Sequence, residues 1–171
     1  SGYRAGPDCE PVDEQLILLE GARTPPCPYH RRILVDASGT HRVAPGSGGS
    51  FVPWFSLPPA MEFYYAANHP GYRPLPPWDD GSLIGRSEQP MQMIYPENGA
   101  KLFIPIQLSG ERGRVVLHAA HQEPLTVIHW DLDGNYLGST TGDHRMTTSL
   151  NDGEHALTLT DDKGAHLNIG F

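Results

Sequence analysis

Three residues near the start of the chain could do chemistry together: Cys9, and the Cys27 and His30 of the stretch CPYH. A thiolate and an imidazole three positions apart can supply two ligands to zinc, and Cys9 could supply a third. In an exported protein two cysteines more often pair. A Cys9–Cys27 disulfide would close a loop of about seventeen residues and stabilise it by roughly 3 kcal/mol if unstrained. The disulfide is placed first, metal ligation by Cys9, Cys27 and His30 second, and two free thiols third. A nucleophilic cysteine ranks below all three, because no base and oxyanion-binding group can be picked out around it. No metal or other cofactor is expected as a requirement.

The stretch WDLDGNYLG at 130–138 invites a calcium reading, since two aspartates one residue apart followed by a glycine open an EF-hand loop. Such a loop needs its glycine at the sixth position and a bidentate Glu at the twelfth. Counted from Asp131, the glycine falls fourth and the twelfth residue is Gly142. The ligand set fails. Asp-Gly is, however, the strongest two-residue hairpin signal, because both central residues must accept positive φ. With Asp133-Gly134 as the turn, Leu132 should face Asn135 and Trp130 should face Leu137, leaving Ile128, Trp130, Leu132 and Leu137 on a core face.

Serine chemistry finds no support. There is no G-x-S-x-G elbow, and no Ser is followed three residues later by Lys. The one S-x-N match, Ser149-Leu150-Asn151, runs into NDGE without a K-T-G partner and reads as a strand end entering a turn. The pairs Asp79-Asp80, Asp131-Asp133 and Asp161-Asp162 are too close in sequence to flank a glycosidic bond and read as turn formers. The 9 His are scattered, so His118, His121 and His129 read as strand positions. Trp54 and Trp78 could stack on sugar rings, but Pro-flanked aromatics more often pin a connector to its neighbour.

The elements that would hold these residues follow from composition and period. With 19 Gly and 17 Pro in 171 residues, turns should outnumber long helices. A net charge of -8 argues against nucleic acid, whose phosphates it would repel. No apolar run approaches the roughly 18 residues of a membrane span, so no direct membrane insertion is expected, and SGYRAGPDCE has no signal-peptide pattern. Residues 1–46 carry both cysteines and two apolar runs, LILLEG and RRILVDASGTHRV, the second broken by a turn-like ASGT. The Gly/Ser-rich APGSGGS reads as a joint, and 47–90 as a Pro-rich connector with one short helix over Ala60–Asn68, its Met61, Tyr64 and Tyr65 on one face. From Met91 to Phe171 the period is two, with turn signals every 8 to 12 residues or so, which predicts an immunoglobulin-like antiparallel β-sandwich.

The order of SGYRAGPDCE, CPYHRRILVD, SGTHRV, PWFSLPPAMEFYY, PLPPW, MIYPENGAKLFIPIQLSGERGRVVLHAAH, WDLDGNYLG and GEHALTLTDDKG resembles the C-terminal end of the penicillin-binding protein 1C family of bifunctional peptidoglycan synthases. The resemblance covers nearly the whole chain. Its most specific parts are IYPENGAKLFIP and the W-x-L-D-G-x-Y-L-G hairpin. It implies that residues 1–46 are the tail of a transpeptidase region, and that bond-making resides in preceding glycosyltransferase and transpeptidase domains. It further implies a non-catalytic periplasmic module, anchored to the inner membrane through the N-terminal part of its parent. The partners so implied are the transpeptidase domain of the same polypeptide and an envelope protein, with peptidoglycan as the alternative. A further Cys immediately before Ser1 also belongs to the resemblance.

Overall fold

The computed structural model describes residues 2–79, 89–108, 110 and 112–171. Asp80 and the end of the expected connector, residues 81–88, lie outside the described residues. The chain divides into two compact units, Ser1–Leu57 with Gly71–Gly85, and Pro58–Pro70 with Arg86–Phe171.

The first unit is built on two antiparallel strands, β1 (His30–Val35) and β2 (Ser50–Phe55), in register from His30 opposite Phe55 to Val35 opposite Ser50. β1 buries Ile33 and Val35, which join Val43 and Leu57 in a small core. The ASGT turn forms as its composition predicts. Asp36 Oδ1 accepts the Thr40 N–H at 3.0 Å, and Gly39 takes φ 72°. The return is a single bridge, Val35 to Arg42, and the ladder of β1 goes to β2 instead. The Gly/Ser-rich stretch therefore leads into β2 within this unit. Gly49 shows why a glycine is needed there: its φ is +116°, and a Cβ would stand 2.2 Å from the Val35 carbonyl oxygen.

The second unit contains α1 (Pro59–Asn68) and seven strands: β3 (Met91–Tyr95), β4 (Val115–His121), β5 (Ile128–Leu132), β6 (Asn135–Thr140), β7 (Arg145–Thr148), β8 (Ala156–Asp161) and β9 (His166–Gly170). They form a three-stranded sheet ordered β3-β4-β7 and a four-stranded sheet ordered β6-β5-β8-β9. Period-two alternation turns Met91, Met93, Val115, Leu117 and Ala119 of one sheet toward Ile128, Trp130, Leu132, Leu157 and Leu159 of the other, in a single core. The result is the antiparallel β-sandwich expected. Each large core side chain contributes roughly 1.5–3 kcal/mol relative to leaving it in water.

The Asp133-Gly134 hairpin forms with both residues at positive φ, 54° and 77°, and Leu132 faces Asn135 as expected. Beyond that pair the register differs from expectation. A bulge between Trp130 and Asp131 sets Trp130 opposite Gly138 instead of Leu137. Leu137 still packs against the core, half-buried.

Two further readings need correction. KLFIPIQL forms no strand ladder; it carries one bridge, Ile106 to Arg112, because Pro105 has no N–H to donate to a ladder. Its alternation survives, with Leu102 and Ile104 packed on the core and Phe103 exposed. α1 starts on the Pro pair as expected, but Met61 and Tyr64 are exposed, and the helix lies on β3 and β4 through Pro59, Glu62 and Phe63. Phe63 packs edge-on against His118, with ring centroids 5.1 Å apart, and the Ala60 N–H donates to Gln92 Oε1 at 3.2 Å.

Candidate functional site

In the first unit the structure brings Cys9, Cys27 and His30 together. The Arg4 N–H donates to the Pro25 carbonyl at 3.1 Å and the Cys27 N–H to the Arg4 carbonyl at 2.8 Å, so the N-terminal segment lies beside CPYH. The chain then turns, the Cys9 N–H reaching back to the Gly6 carbonyl at 3.2 Å. An Asp8–Arg32 ion pair of 2.6 Å ties this turn to β1, whose first residue is His30. Cys9 Sγ and Cys27 Sγ each lie 3.4 Å from His30 Nδ1, and all three atoms fall within 4.8 Å of one another. Both cysteines are free. The two thiols expected to pair from sequence thus lie together, with both sulfurs directed at one imidazole nitrogen.

The surroundings of Cys27 favour its charged form. Gly6 N–H donates to Cys9 Sγ at 3.3 Å. Burial by itself pushes the Cys27 thiol up, but hydrogen bonds from His30, the Tyr29 and His30 backbone N–H groups and Cys9 outweigh it. Together they bring it down to about 7. The imidazole is held by Phe55, at 5.0 Å between centroids, and Phe55 in turn packs edge-on against Tyr29 and Tyr72.

Trp54 and Trp78 lie in the same unit, each with a cation over one face of its ring. The Arg73 guanidinium sits 4.7 Å over Trp54, and that of Arg42 sits 4.6 Å over Trp78. Trp54 Nε1 also donates to the Arg73 carbonyl at 3.2 Å. Both indoles are half-buried. Leu16, Ile17, Leu18 and Leu19, by contrast, are 106, 62, 83 and 87% exposed. The apolar run of LILLEG thus has no core to enter within its own unit.

At one end of the sandwich an open groove of about 910 Å³ is lined by residues of the 99–104 segment, the hairpin turn and the 150–156 loop. Asp133 joins its walls: Oδ1 accepts the Ala156 N–H at 2.8 Å and Oδ2 faces His155 Nδ1 at 2.7 Å. His155 Nε2 faces the Asn151 carbonyl at 3.1 Å. Both ring nitrogens face acceptors, so both must donate, which requires the imidazolium. The hydrogen bond to Asp133 accordingly raises the His155 pKa above its usual value, and the Ala156 and His155 donors lower that of Asp133. Arg112 pairs through both terminal nitrogens with Asp152, at 2.7 and 3.1 Å. Sequence reasoning missed His155 and Arg112. Their only signal was a basic side chain within two residues of a turn glycine, which is common on any surface.

The other residues weighed for chemistry are structural. His121 accepts the Glu123 N–H on Nδ1 at 2.9 Å, so its Nε2–H donates to Asp161 Oδ2 at 3.3 Å, with both side chains fully buried. His118 and His144 are buried on the same side, and burial lowers the pKa of both. His129 is exposed beside Tyr136. Ser149 is exposed, and Leu150 of the S-x-N match belongs to the core.

The second unit is thus a two-sheet β-sandwich whose polar groups tie its loops together. The Penicillin-Binding Protein C-terminus Family matches residues 84–171, and the chain belongs to this family. It is thus a C-terminal accessory region of a penicillin-binding protein. Comparison with curated proteins and with solved structures finds no match.

Proposed function

We propose that this chain serves a wall-building synthase of the penicillin-binding protein 1C type by protein contact, not by bond-making of its own. The first unit braces the transpeptidase domain of the same polypeptide, and the sandwich offers its surface to an envelope protein. The work is periplasmic, with the parent held at the inner membrane by its N-terminal part. One observation carries the reading: four consecutive large aliphatic side chains, Leu16 to Leu19, stand 62 to 106% exposed. A folded surface rarely leaves such a run uncovered, and covering each fully contributes roughly 1.5–3 kcal/mol.

The test supplies the catalytic part of the synthase as a separate polypeptide and titrates residues 1–171 into it. Binding is expected, weakened at least tenfold by Leu16→Asp with Leu18→Asp, while circular dichroism stays unchanged. Equal affinity of the parent chain and the double variant refutes the bracing. The glycan alternative is less well supported, because a guanidinium already covers one face of Trp54 and of Trp78. Sedimentation with purified sacculi, lost on Trp54→Ala or Trp78→Ala, would replace the protein-contact reading with it.

A further inference from the structure

We propose that Cys9, Cys27 and His30 bind one zinc ion through Sγ, Sγ and Nδ1. The two sulfur–nitrogen separations match two edges of a zinc tetrahedron. With zinc–sulfur bonds of about 2.3 Å and zinc–nitrogen bonds of about 2.0–2.1 Å, the tetrahedral angle separates sulfur from nitrogen by about 3.5 Å. Both observed separations are 3.4 Å. A disulfide gains nothing from an imidazole nitrogen equidistant from its two sulfurs, whereas a shared metal requires it.

The surroundings fit a metal thiolate in three independent ways. First, the backbone N–H of Gly6 donates to Cys9 Sγ at 3.3 Å and orients it, as outer hydrogen bonds orient a metal thiolate. Second, the donor set of two sulfurs and an imidazole selects zinc over hard cations such as calcium or magnesium. Two thiolates also cancel the charge of the ion. Binding converts two thiols and Zn²⁺ into a neutral dithiolate centre and releases two protons to solvent. Third, the first unit has few buried aliphatic side chains, Ile33, Val35, Val43 and Leu57 among the described residues. A metal joining the 6–9 turn, CPYH and β1 would supply the cross-link that such a small core lacks. Among the described residues the cluster comprises these three side chains, which leaves the fourth position to water or a further ligand.

The test uses the whole 171-residue chain, reduced and exposed to zinc chloride or cobalt chloride before removal of free metal. The expected result is about one zinc per chain by elemental analysis. In the cobalt form we expect a thiolate-to-cobalt charge-transfer band with the intense visible absorption of a tetrahedral site. Zinc should shield both thiols from alkylation, a chelator should restore reactivity, and His30→Ala and Cys27→Ser should lose the stoichiometric metal. The cobalt spectrum of the unsubstituted chain decides the matter even if a variant does not fold. Reduced protein that takes up no metal, metal content unchanged in both variants, or thiols that zinc fails to shield would each overturn the proposal. So would a Cys9–Cys27 disulfide mapped in protein that had been reduced and loaded.

Discussion

Replacing Asp133 by alanine should loosen the turn end of the sandwich by an amount that depends on pH in a defined way. Three contributions are lost together. Asp133 accepts the Ala156 N–H at 2.8 Å and the His155 imidazolium at 2.7 Å, and it occupies a left-handed conformation, φ 54°, that alanine tolerates poorly. The carboxylate is 40% exposed, so solvent screens its charge and each hydrogen bond is worth about 0.5–1 kcal/mol here, not the fuller value of a buried one. The conformational term adds about 1 kcal/mol. Asp133→Ala should therefore cost about 2–3 kcal/mol. Asp133→Asn keeps the backbone preference and an acceptor, and should cost about 1 kcal/mol or less.

The pH dependence follows from the two pKa shifts. His155 is raised above its ordinary 6.5 by the Asp133 hydrogen bond, so its contribution is complete below about 6.5 and disappears as pH rises through the folded value. Asp133 is lowered below its ordinary 3.8 by the Ala156 N–H and His155, so its contribution is complete above 3.8 and disappears as pH falls through the folded value. The difference between parent and Asp133→Ala should be largest between pH 4 and 6.5. It should shrink on both sides. Urea unfolding followed by Trp130 fluorescence, with Trp54 and Trp78 both replaced by Phe, reads this unit alone. A difference that stays level from pH 4 to 9, or a cost below that of an unpartnered surface aspartate, would falsify the clamp.

Gly49→Ala should destabilise the first unit by about 3 kcal/mol or more, since a Cβ there meets the Val35 carbonyl oxygen at 2.2 Å on a backbone of φ +116°; thermal unfolding checks it. Trp130→Ala, at a fully buried position, should cost about 3–5 kcal/mol by denaturant titration, including the hydrogen bond its Nε1 makes to Thr140 Oγ1 at 2.8 Å. The pKa of His118 and of His144 is lowered by burial, so both stabilise the neutral-pH fold. That stability should decline as pH falls from about 6.5 toward their folded values, and His144→Gln should flatten the decline in an acid titration. A fluorescent β-lactam should leave the chain unlabelled on a denaturing gel, in line with the lack of an S-x-x-K pair, and covalent labelling would overturn the accessory reading.

Much of the fold could be read from local pattern. Turn glycines and period-two apolar residues mark β3 to β9, because alternation and positive-φ turns are properties of a few adjacent residues. The same locality placed the helix start at the Pro pair and the hairpin at Asp133-Gly134. Errors arose where a distant partner decides. The Trp130 bulge depends on what Gly138 and Met146 leave room for, and the inward face of α1 depends on which sheet residues meet it.

By itself the sequence determined a β-sandwich at the C-terminal end, the absence of a serine-acylation motif, and three metal-capable side chains at 9, 27 and 30. Only the tertiary structure decided that both thiols turn to His30, that a guanidinium covers one face of each tryptophan, and that His155 is held charged by Asp133. The physical reason is common to all three. Side-chain type and spacing state what a group can do. Which group it meets is set by backbone segments far apart in the chain, such as Arg4 against Cys27, whose hydrogen bonds no local pattern encodes.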